Sequence, residues 1–279
     1  MIEARGLIFK YEKSGDPVLK DISLEILEGT YVAIIGPNGC GKSSLLRHLD
    51  GLLLPDKGEL LVDGMRTRDT GSLREIRRMV GMVFQNPDTQ IVGTTVEEDV
   101  SFGPGNLGLP PLEIRERVDT ALDLVGMKKY AKRPPHTLSS GEKQLVAIAG
   151  VLAMHPKYIA LDEPTAYLDP SARMIVFRVL KKLHQEGIAI IHVTHHMEEI
   201  VDADEIFVMN GGKIIQRGKP AEVLTRIAWL KELGLGAPRV TELLCRLKGM
   251  GLDIIAESLT LDDACAQIFS LIEGKASEA

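Results

Sequence analysis

Short apolar runs alternate with helical stretches along most of this sequence. Mostly apolar runs are typical of strands buried on both faces, and they lie at 31–35, 78–84, 158–161, 189–193 and 206–209. The segment 19–27 alternates apolar and polar residues, as a half-buried strand does. Helical periodicity marks the segments 42–49, 113–125 and 142–153. Strands that alternate with helices predict an α/β fold with a parallel sheet.

The last part of the chain is mostly helical. A boundary within it is predicted by residues that interrupt helices, namely Gly234, Gly236 and Pro238. Thr260 followed by Asp263 resembles a capping box for a last helix over 261–273. We therefore expect a main domain over residues 1–220 and a smaller helical extension over residues 221–279.

A stretch with few side chains, GPNGCGKSS, separates the apolar run 31–35 from the predicted helix 42–49. It matches the pattern G-x-x-x-x-G-K-[ST], in which glycines let several backbone N–H groups point at phosphate oxygens. Lys42 would reach the β- and γ-phosphates, and Ser43 would offer its hydroxyl to Mg²⁺. A chance glycine-rich turn would not be expected between a strand and a helix. The residues predicted to hold a nucleoside triphosphate are Gly36, Asn38, Gly39, Cys40, Gly41, Lys42, Ser43 and Ser44.

Two acidic residues, Asp162 and Glu163, follow the apolar run 158–161. An apolar strand that ends in two acids places the first near a nucleotide-bound metal. The second can then polarise a water for in-line attack. In isolation such a pair more often caps the next helix, but the phosphate loop upstream favours nucleotide hydrolysis.

The segment LSSGEKQ at residues 138–144 makes a family resemblance specific. The sequence resembles the ATPase subunits of ATP-binding-cassette (ABC) transporters. Those carry, in order, an adenine-stacking aromatic, a phosphate loop, a glutamine loop, an LSGGQ-type signature, an acidic pair, an SALD-type loop and a switch histidine. The matching residues follow the same order within residues 1–220: Tyr11, 36–43, Gln85, 138–144, Asp162 with Glu163, 166–169, and His195. The resemblance implies a P-loop NTPase fold with a mixed-sheet core, an antiparallel β subdomain and a helical subdomain over about 86–155.

The resemblance also implies roles for these residues. Tyr11 would stack on the adenine of ATP, Gln85 would contact Mg²⁺ or the attacking water, and His195 would contact the γ-phosphate. Magnesium would be bound by Ser43, Gln85 and Asp162. The ATP held by a second cassette would meet a site formed by Ser139, Ser140, Gly141 and Asp169. Simpler interpretations exist for three residues: a strand position for Tyr11, a surface histidine for His195 and a plain helix cap for Ser139.

The sequence departs from the family pattern at four positions. Ser140 replaces the usual glycine, and Glu142 replaces glutamine. Leu145 stands where arginine is common, and His196 stands where aspartate is usual. Such departures would suit one member of an unequal pair of ATPases.

Two further segments narrow the resemblance. Residues 84–110 and 233–254 are similar to the corresponding parts of energy-coupling-factor importers and their cobalt and nickel relatives, in which the tail helps two ATPases associate. The first segment could instead only pack within the helical subdomain, and the second could only cap the edge of the sheet. This similarity implies an importer of vitamins or transition-metal ions at the cytoplasmic face of the membrane. Its partners would be a second ATPase subunit, an integral membrane coupling protein and a membrane substrate-binding subunit.

Composition limits the remaining classes of function. The net charge of −6 does not favour nucleic acid as a partner. No apolar run approaches the roughly 18 residues that cross a bilayer. Three cysteines in unrelated settings, Cys40, Cys245 and Cys265, fit a reducing compartment. Another type of ABC importer or exporter remains as an alternative, and a soluble ABC ATPase acting on DNA or ribosomes is less favoured.

Three further local features of the sequence each lead to a prediction. Cys40 lies beside Lys42 at a helix N-terminus, which predicts a thiol with a lowered pKa and high reactivity. A basic cluster predicts a solvated helix face, and its members are Arg74, Arg77 and Arg78. The segment 86–102, with acidic Glu97 and Glu98, is predicted to be exposed and to contact the membrane coupling protein.

Overall fold

The computed structural model describes residues 1–12 and 15–276, which form ten strands and ten α-helices. The strands are β1 (Ile2–Phe9), β2 (Leu19–Ile26), β3 (Tyr31–Ile35), β4 (Lys57–Val62), β5 (Met65–Arg66), β6 (Val80–Val83), β7 (Tyr158–Asp162), β8 (Ala189–Val193), β9 (Glu205–Asn210) and β10 (Lys213–Gly218). The helices are α1 (Lys42–Leu49), α2 (Leu73–Met79), α3 (Val96–Asn106), α4 (Pro111–Leu124), α5 (Ser140–Leu152), α6 (Pro170–Gln185), α7 (Pro220–Leu224), α8 (Ile227–Glu232), α9 (Arg239–Gly249) and α10 (Leu261–Ala276).

The strands form two sheets. The larger has the order β10-β9-β3-β8-β7-β6, with parallel pairs from β9 to β6 and an antiparallel β10 at one edge. Its central strands β3, β7 and β8 are buried at every residue, which explains their nearly continuous apolar sequences. The smaller sheet, β2-β1-β4-β5, is antiparallel. The predicted fold class is confirmed.

Alternate residues of β3 pack into two separate layers of the core. Tyr31, Ala33 and Ile35 pack with residues from α3 to α6 on one face of the large sheet. Val32 and Ile34 pack with α1 and the small sheet on the other face. This alternation follows from the two-residue repeat of a strand, and it fixes the large sheet between helices and the antiparallel sheet.

Helices α3, α4 and α5 lie in the chain between β6 and β7, within the range 86–155 predicted for a helical subdomain. Two of them begin with a full capping box: Thr95 with Glu98 at α3, and Ser139 with Glu142 at α5. Their apolar faces belong to the same core cluster as one face of the large sheet.

The arginine cluster on α2 is exposed, as predicted, and two of its three members also bond to neighbouring elements. Arg74 donates to the carbonyl oxygen of Leu107 at 3.1 Å. Arg77 donates to the carbonyl oxygens of Asp50 and Gly51, both at 3.3 Å. These arginines join α2 to the ends of α1 and α3. The helix also takes the first residues of the strand predicted at 78–84, which begins only at Val80.

The C-terminal extension divides into two parts. Side chains of α7 and α8 belong to the main core, including Leu224 and Leu230. From α9 onward a separate small cluster forms around Leu244, Ile254 and Ala264. Thr260 caps α10 as predicted, because its hydroxyl accepts the backbone N–H of residue 263 at 3.2 Å. Residues 277–279 of the predicted extension lie outside the described residues.

Candidate functional site

The predicted site residues converge where parallel strands end. The carboxyl ends of β3, β6, β7 and β8 meet at one edge of the large sheet, where ligands of open α/β sheets bind. The phosphate loop follows β3, Gln85 follows β6, the acidic pair ends β7, and His195 follows β8. Residues far apart in sequence are therefore neighbours because of strand order.

Close packing requires glycine at two positions of the loop. A Cβ at Gly36 would lie 2.2 Å from the carbonyl oxygen of Met209. Gly41 has φ +106, and a Cβ there would lie 3.0 Å from the carbonyl oxygen of Val18. Neither position accepts a larger residue without a shift of backbone. The loop therefore keeps its backbone N–H groups clear of side chains.

The lysine and serine of the loop are fixed by hydrogen bonds. The buried ammonium of Lys42 donates to the carbonyl oxygens of Gly36 at 2.7 Å and Pro37 at 3.1 Å, so it lies across the loop. The hydroxyl of Ser43 donates to Oδ1 of Asp162 at 3.0 Å. Burial raises the pKa of Asp162, while the bond from Ser43 lowers it. This places one hydroxyl and one carboxylate beside the loop.

Gln85 and His195 both reach the carboxylate of Glu163. Nε2 of Gln85 donates to Oε2 of Glu163 at 3.1 Å, and Nδ1 of His195 lies 3.3 Å from the same oxygen. Glu163 has φ +46, a left-handed conformation that is uncommon for a non-glycine residue and is found at functional sites. Its backbone N–H donates to the carbonyl oxygen of Val193 at 2.9 Å, which holds the β7 and β8 ends together.

Tyr11 presents an exposed aromatic ring beside the loop. Its side chain is 58% exposed, and its hydroxyl lies 3.0 Å from Oγ of Ser44. The ring of Phe9 supports it edge-on, with 5.0 Å between centroids. A half-buried strand position does not describe Tyr11, because β1 ends before it.

The residues predicted to bind the nucleotide of a second cassette lie at the N-termini of two helices. The hydroxyl of Ser139 accepts the N–H of Glu142 at 3.3 Å at the start of α5, and Asp169 accepts the N–H of Ala172 at 2.9 Å at the start of α6. A Cβ at Gly141 would lie 2.6 Å from that of Ala172, so this glycine lets the two helix starts approach. Ser139, Ser140 and Asp169 are exposed. Within residues 1–12 and 15–276, none of them is hydrogen-bonded to the phosphate loop.

Comparison with known proteins identifies this arrangement. The model of the ABC transporter family matches residues 19–166. This chain belongs to the ABC transporter family. It is 52% identical over 268 residues to the cobalt import ATP-binding protein CbiO of Syntrophus aciditrophicus, covering 96% of each chain. It is 51% identical over 267 residues to the energy-coupling factor transporter ATP-binding protein EcfA1 of Caldanaerobacter subterraneus subsp. tengcongensis, covering 94% of this chain and 96% of the relative.

Solved structures of ABC ATPases share the fold. CbiO1 from Clostridium perfringens, part of the ABC transporter complex CbiONQ, superposes with a TM-score of 0.76 at 38% identity, covering 89% of this chain and 97% of that one. The cassette MJ0796, in a dimeric post-hydrolysis state bound to ADP and Pi, superposes with a TM-score of 0.71 at 31% identity, covering 79% and 99%. The predicted family and the predicted transport-coupled ATPase activity are confirmed. No helix among residues 1–12 and 15–276 has the length and apolarity needed to span a bilayer.

The ABC ATPase differs from the sequence prediction at Cys40. Its side chain is only 5% exposed, and its Sγ would be 2.7 Å from a Cβ at Gly36. Burial raises the pKa of the Cys40 thiol, and Lys42 only partly opposes this effect. The predicted low pKa is wrong because desolvation outweighs the charge of the neighbouring lysine.

Two departures from the family pattern have local explanations. The carboxylate of Glu142 accepts the N–H of Ser139 at 2.8 Å, which completes the capping box; this bond lowers the pKa of Glu142. His196 packs its ring 4.1 Å from that of His195, centroid to centroid. Burial, the charge of His195 and that of Arg173 lower the pKa of His196, and nearby acidic residues only partly oppose this. His196 is therefore mostly neutral at neutral pH.

A buried polar cluster, which the sequence did not predict, lies next to the site. Its members are Tyr31, Thr165, His192, Thr194 and Glu199. Thr165 follows the acidic pair in the chain, and His192, Thr194 and Glu199 lie within four residues of His195. The one signal in the sequence was His192, a polar residue inside the apolar run of β8. The other members are common polar residues that only the fold brings together.

Proposed function

We propose that this ABC ATPase hydrolyses Mg²⁺-ATP to drive a membrane importer for a vitamin or a transition-metal ion. The convergence of Gln85 and His195 on Glu163, beside a phosphate loop, is the observation that supports hydrolysis most directly. The importer class is supported by relatives named for cobalt import and for energy coupling. A separate membrane subunit would select the solute, so this chain would supply only the energy.

The oxygens beside the loop fit a magnesium ion. Magnesium prefers oxygen ligands and usually takes only one or two carboxylates from the protein. Ser43 offers a hydroxyl and Asp162 a carboxylate, while Gln85 uses its nitrogen for Glu163 and keeps its amide oxygen. In the part of the chain that the structure describes, no cluster of three or more His, Cys, Asp or Glu could hold another metal. When bound, Mg²⁺ would neutralise charge on the β- and γ-phosphate oxygens.

The chain's own groups suit the attack of water on the γ-phosphate. Lys42 would exchange the carbonyl oxygens of Gly36 and Pro37 for phosphate oxygens. Glu163 accepts a proton from water as the water oxygen attacks the γ-phosphorus. The bond from that phosphorus to the oxygen bridging the β- and γ-phosphates breaks, and ADP leaves with the bridging oxygen. Gln85 and His195 orient the Glu163 carboxylate and the water. Tyr11 stacks on the adenine through its exposed ring.

A second cassette completes each site in this proposal. The exposed start of α5 has free backbone N–H groups and a helix dipole, which favour an anion such as the γ-phosphate held by the partner. Ser139 and Gly141 would bind that phosphate, with Ser140 and Asp169 beside it. The similar cassette MJ0796 is a dimer with ADP and Pi, which supports this arrangement. Glu142 would bring negative charge close to that phosphate and weaken this site.

The C-terminal helices provide a second contact between ATPase subunits. Four residues along α10 share one exposed face at helical spacing: Leu261, Cys265, Phe269 and Ile272. An adjacent face carries Ala264, which is buried in the small C-terminal cluster. An exposed apolar stripe of this kind marks an interaction surface. We assign it to association with a second ATPase subunit, as a dimerisation element.

The membrane coupling protein would dock in a groove between α2, α3 and α5. The groove has a volume of about 750 Å³ and is lined by apolar residues that include Leu73, Phe102 and Met154, with arginines of α2 at its edge. Phe102 is 57% exposed there. Gln90 also lines it and bonds to the N–H of Phe84, next to Gln85. A helix of the partner in this groove would therefore act on the glutamine loop.

The segment 86–102 is less exposed than the sequence predicts. Val96 and Val100 are fully buried. The buried carboxylate of Asp99 accepts the N–H of Val92 at 2.7 Å, and Glu98 completes the capping box of α3. These two carboxylates stabilise the start of α3, so the groove is the better place to look for the partner's contact.

Reconstitution tests the proposal as a whole. We expect the chain to copurify from a detergent extract with an integral coupling protein and a membrane substrate-binding subunit, at the cytoplasmic face. Vesicles holding that complex should take up cobalt, nickel or a vitamin only with ATP, and Glu163→Gln should stop uptake. Copurification with DNA or ribosomes, or export in place of uptake, would refute the importer assignment.

A further inference from the structure

One buried carboxylate joins the two loops that carry Glu163 and His195. Glu199 lies in the single helical turn Met197–Ile200 and is 8% exposed. Its Oε1 accepts the hydroxyl of Thr165 and its Oε2 accepts the hydroxyl of Thr194, both at 2.7 Å. Thr165 follows Glu163 by two residues, and Thr194 directly precedes His195.

The Thr194 hydroxyl extends this connection past His195. It also accepts the backbone N–H of His196 at 3.0 Å. The backbone is therefore held on both sides of His195 by one hydroxyl, which is itself held by Glu199. The strained backbone of Glu163 at φ +46 is held on the other side, through Thr165.

Two aromatic residues, Tyr31 and His192, lie next to Glu199. The hydroxyl of Tyr31 donates to the backbone carbonyl of Glu199 at 3.1 Å and lies 2.8 Å from Nδ1 of His192. His192 is fully buried, and its Nε2, which has no hydrogen-bond partner among the described residues, lies 3.6 Å from Oε2 of Glu199. Burial lowers the pKa of His192 to about 3, so the ring is neutral.

We propose that Glu199 is a positioning residue, which sets the separation between the Glu163 carboxylate and the His195 ring through Thr165 and Thr194. The inference rests on the proposed roles of Glu163 and His195. Hydrogen bonds to a buried carboxylate are strong because the local dielectric is low, so the bridge resists movement of either loop. A glutamine at this position has one acceptor oxygen instead of two. One hydroxyl would then lose its acceptor, and the loops would separate.

Turnover of the full chain tests the inference, with kcat, KM for ATP and the unfolding midpoint measured for each variant. We expect Glu199→Gln to lower kcat by about 10- to 100-fold, since a 1 Å misplacement costs up to about 10²-fold. KM for ATP should stay within about twofold, because Lys42 and Tyr11 are untouched. Thr165→Val and Thr194→Val should each lower kcat, and Thr194→Val should add little to Glu199→Gln, because both remove the same bridge.

Asp50→Asn is the matched control. Asp50 is also a buried carboxylate and accepts the N–H of Leu52 at 3.0 Å, but it lies at the far end of α1. We expect this variant to keep its kcat, because the side chain lies away from Glu163 and His195 in the chain and makes no hydrogen bond to either. Glu199 is only structural if Glu199→Gln lowers kcat no more than Asp50→Asn does. It is also only structural if KM for ATP rises by as large a factor as kcat falls.

Two further outcomes keep the inference separate from the proposed function. Glu163→Gln is measured in the same assay. If it keeps its activity, the proposed function fails; if it is inactive while Glu199→Gln has the normal kcat, only the present inference fails. Should Glu199→Gln not fold, the two threonine variants decide, and normal kcat in both would overturn the proposal.

Discussion

The side chains of Glu163 and His195 meet at 3.3 Å although 32 positions separate them in the chain. The contact forms because β7 and β8 are parallel neighbours with Leu161 opposite His192, so both strands end at the same level. The contact brings a carboxylate, a histidine and a glutamine together, as the proposed role of Glu163 as a general base requires.

Replacing Glu163 by glutamine should separate binding from hydrolysis. The variant keeps the size and hydrogen bonding of the side chain but removes the base, so ATP turnover should fall by ~10²–10⁴-fold. ATP binding should persist, because Lys42 and Ser43 remain. Glu198→Gln is the control, since Glu198 is half-exposed and forms an ion pair with Arg239 at the surface. Turnover above about a tenth of wild type would argue against Glu163 as the base.

The same variant should accumulate as a closed pair with ATP. Cross-linking between Gly39→Cys in one subunit and Ser140→Cys in the other, in a Cys40→Ala background, reports closure. ATP should raise its yield, since a ligand that binds only the closed state favours that state. Equal yields with and without ATP would exclude a nucleotide sandwich for this chain paired with itself, and a second, non-identical ATPase would then be tested.

Replacing Lys42 by alanine should abolish turnover. The ammonium is buried across the loop, where it donates to the carbonyl oxygen of Gly36. Positioned charge of this kind is worth well over tenfold in rate, so activity should drop below about a tenth of wild type. Equilibrium ATP binding is the second measurement. Lys57→Ala, at an exposed strand end, should change neither.

Cys40 should react slowly with alkylating reagents. Burial raises its pKa, so at pH 7 the thiolate fraction is smaller than for an ordinary cysteine, and reactivity should rise as the pH is raised. Cys265 is exposed and should be labelled first. Mass spectrometry of a time course checks the order. Labelling of Cys40 as fast as Cys265 in the folded protein would contradict its burial.

An acidic residue in the groove should uncouple hydrolysis from transport. Phe102→Asp is expected to lower uptake at least about tenfold in reconstituted vesicles, because it places a charge on an apolar docking surface. Basal ATPase activity should change by less than about twofold. Leu112→Asp is the matched control, since Leu112 is 87% exposed on α4 and does not line the groove. If Phe102→Asp lowers both activities equally, the groove has only a structural role.

A charge on the exposed stripe of α10 should weaken association without nucleotide. Phe269 is 64% exposed at the centre of this stripe. We expect Phe269→Asp to raise the dissociation constant of the dimer at least about tenfold, as loss of an aromatic anchor does. Sedimentation of the ATP-free protein measures this, and Leu112→Asp again serves as control. An unchanged association constant would assign dimerisation to another surface.

The local parts of this protein could be predicted from sequence because their geometry depends on adjacent residues. The phosphate loop needs glycines between a strand and a helix, and those lie within nine consecutive residues. The strand at 31–35 and the helix at 42–49 occur with the predicted bounds. The order of motifs then identified the family, and with it the fold class.

Tertiary structure decided what depends on burial and on strand register. Cys40 sits beside a positive charge in sequence, yet packing against Gly36 desolvates its thiol and reverses the predicted pKa shift. Arg77 belongs to a basic cluster in sequence but bonds to the end of α1. Nothing in the sequence distinguishes Glu199 from other acidic residues, and only the fold brings the hydroxyls of Thr165 and Thr194 to its carboxylate. Adjacent residues determine backbone shape, whereas solvent exposure and partners depend on which distant segments cover a side chain.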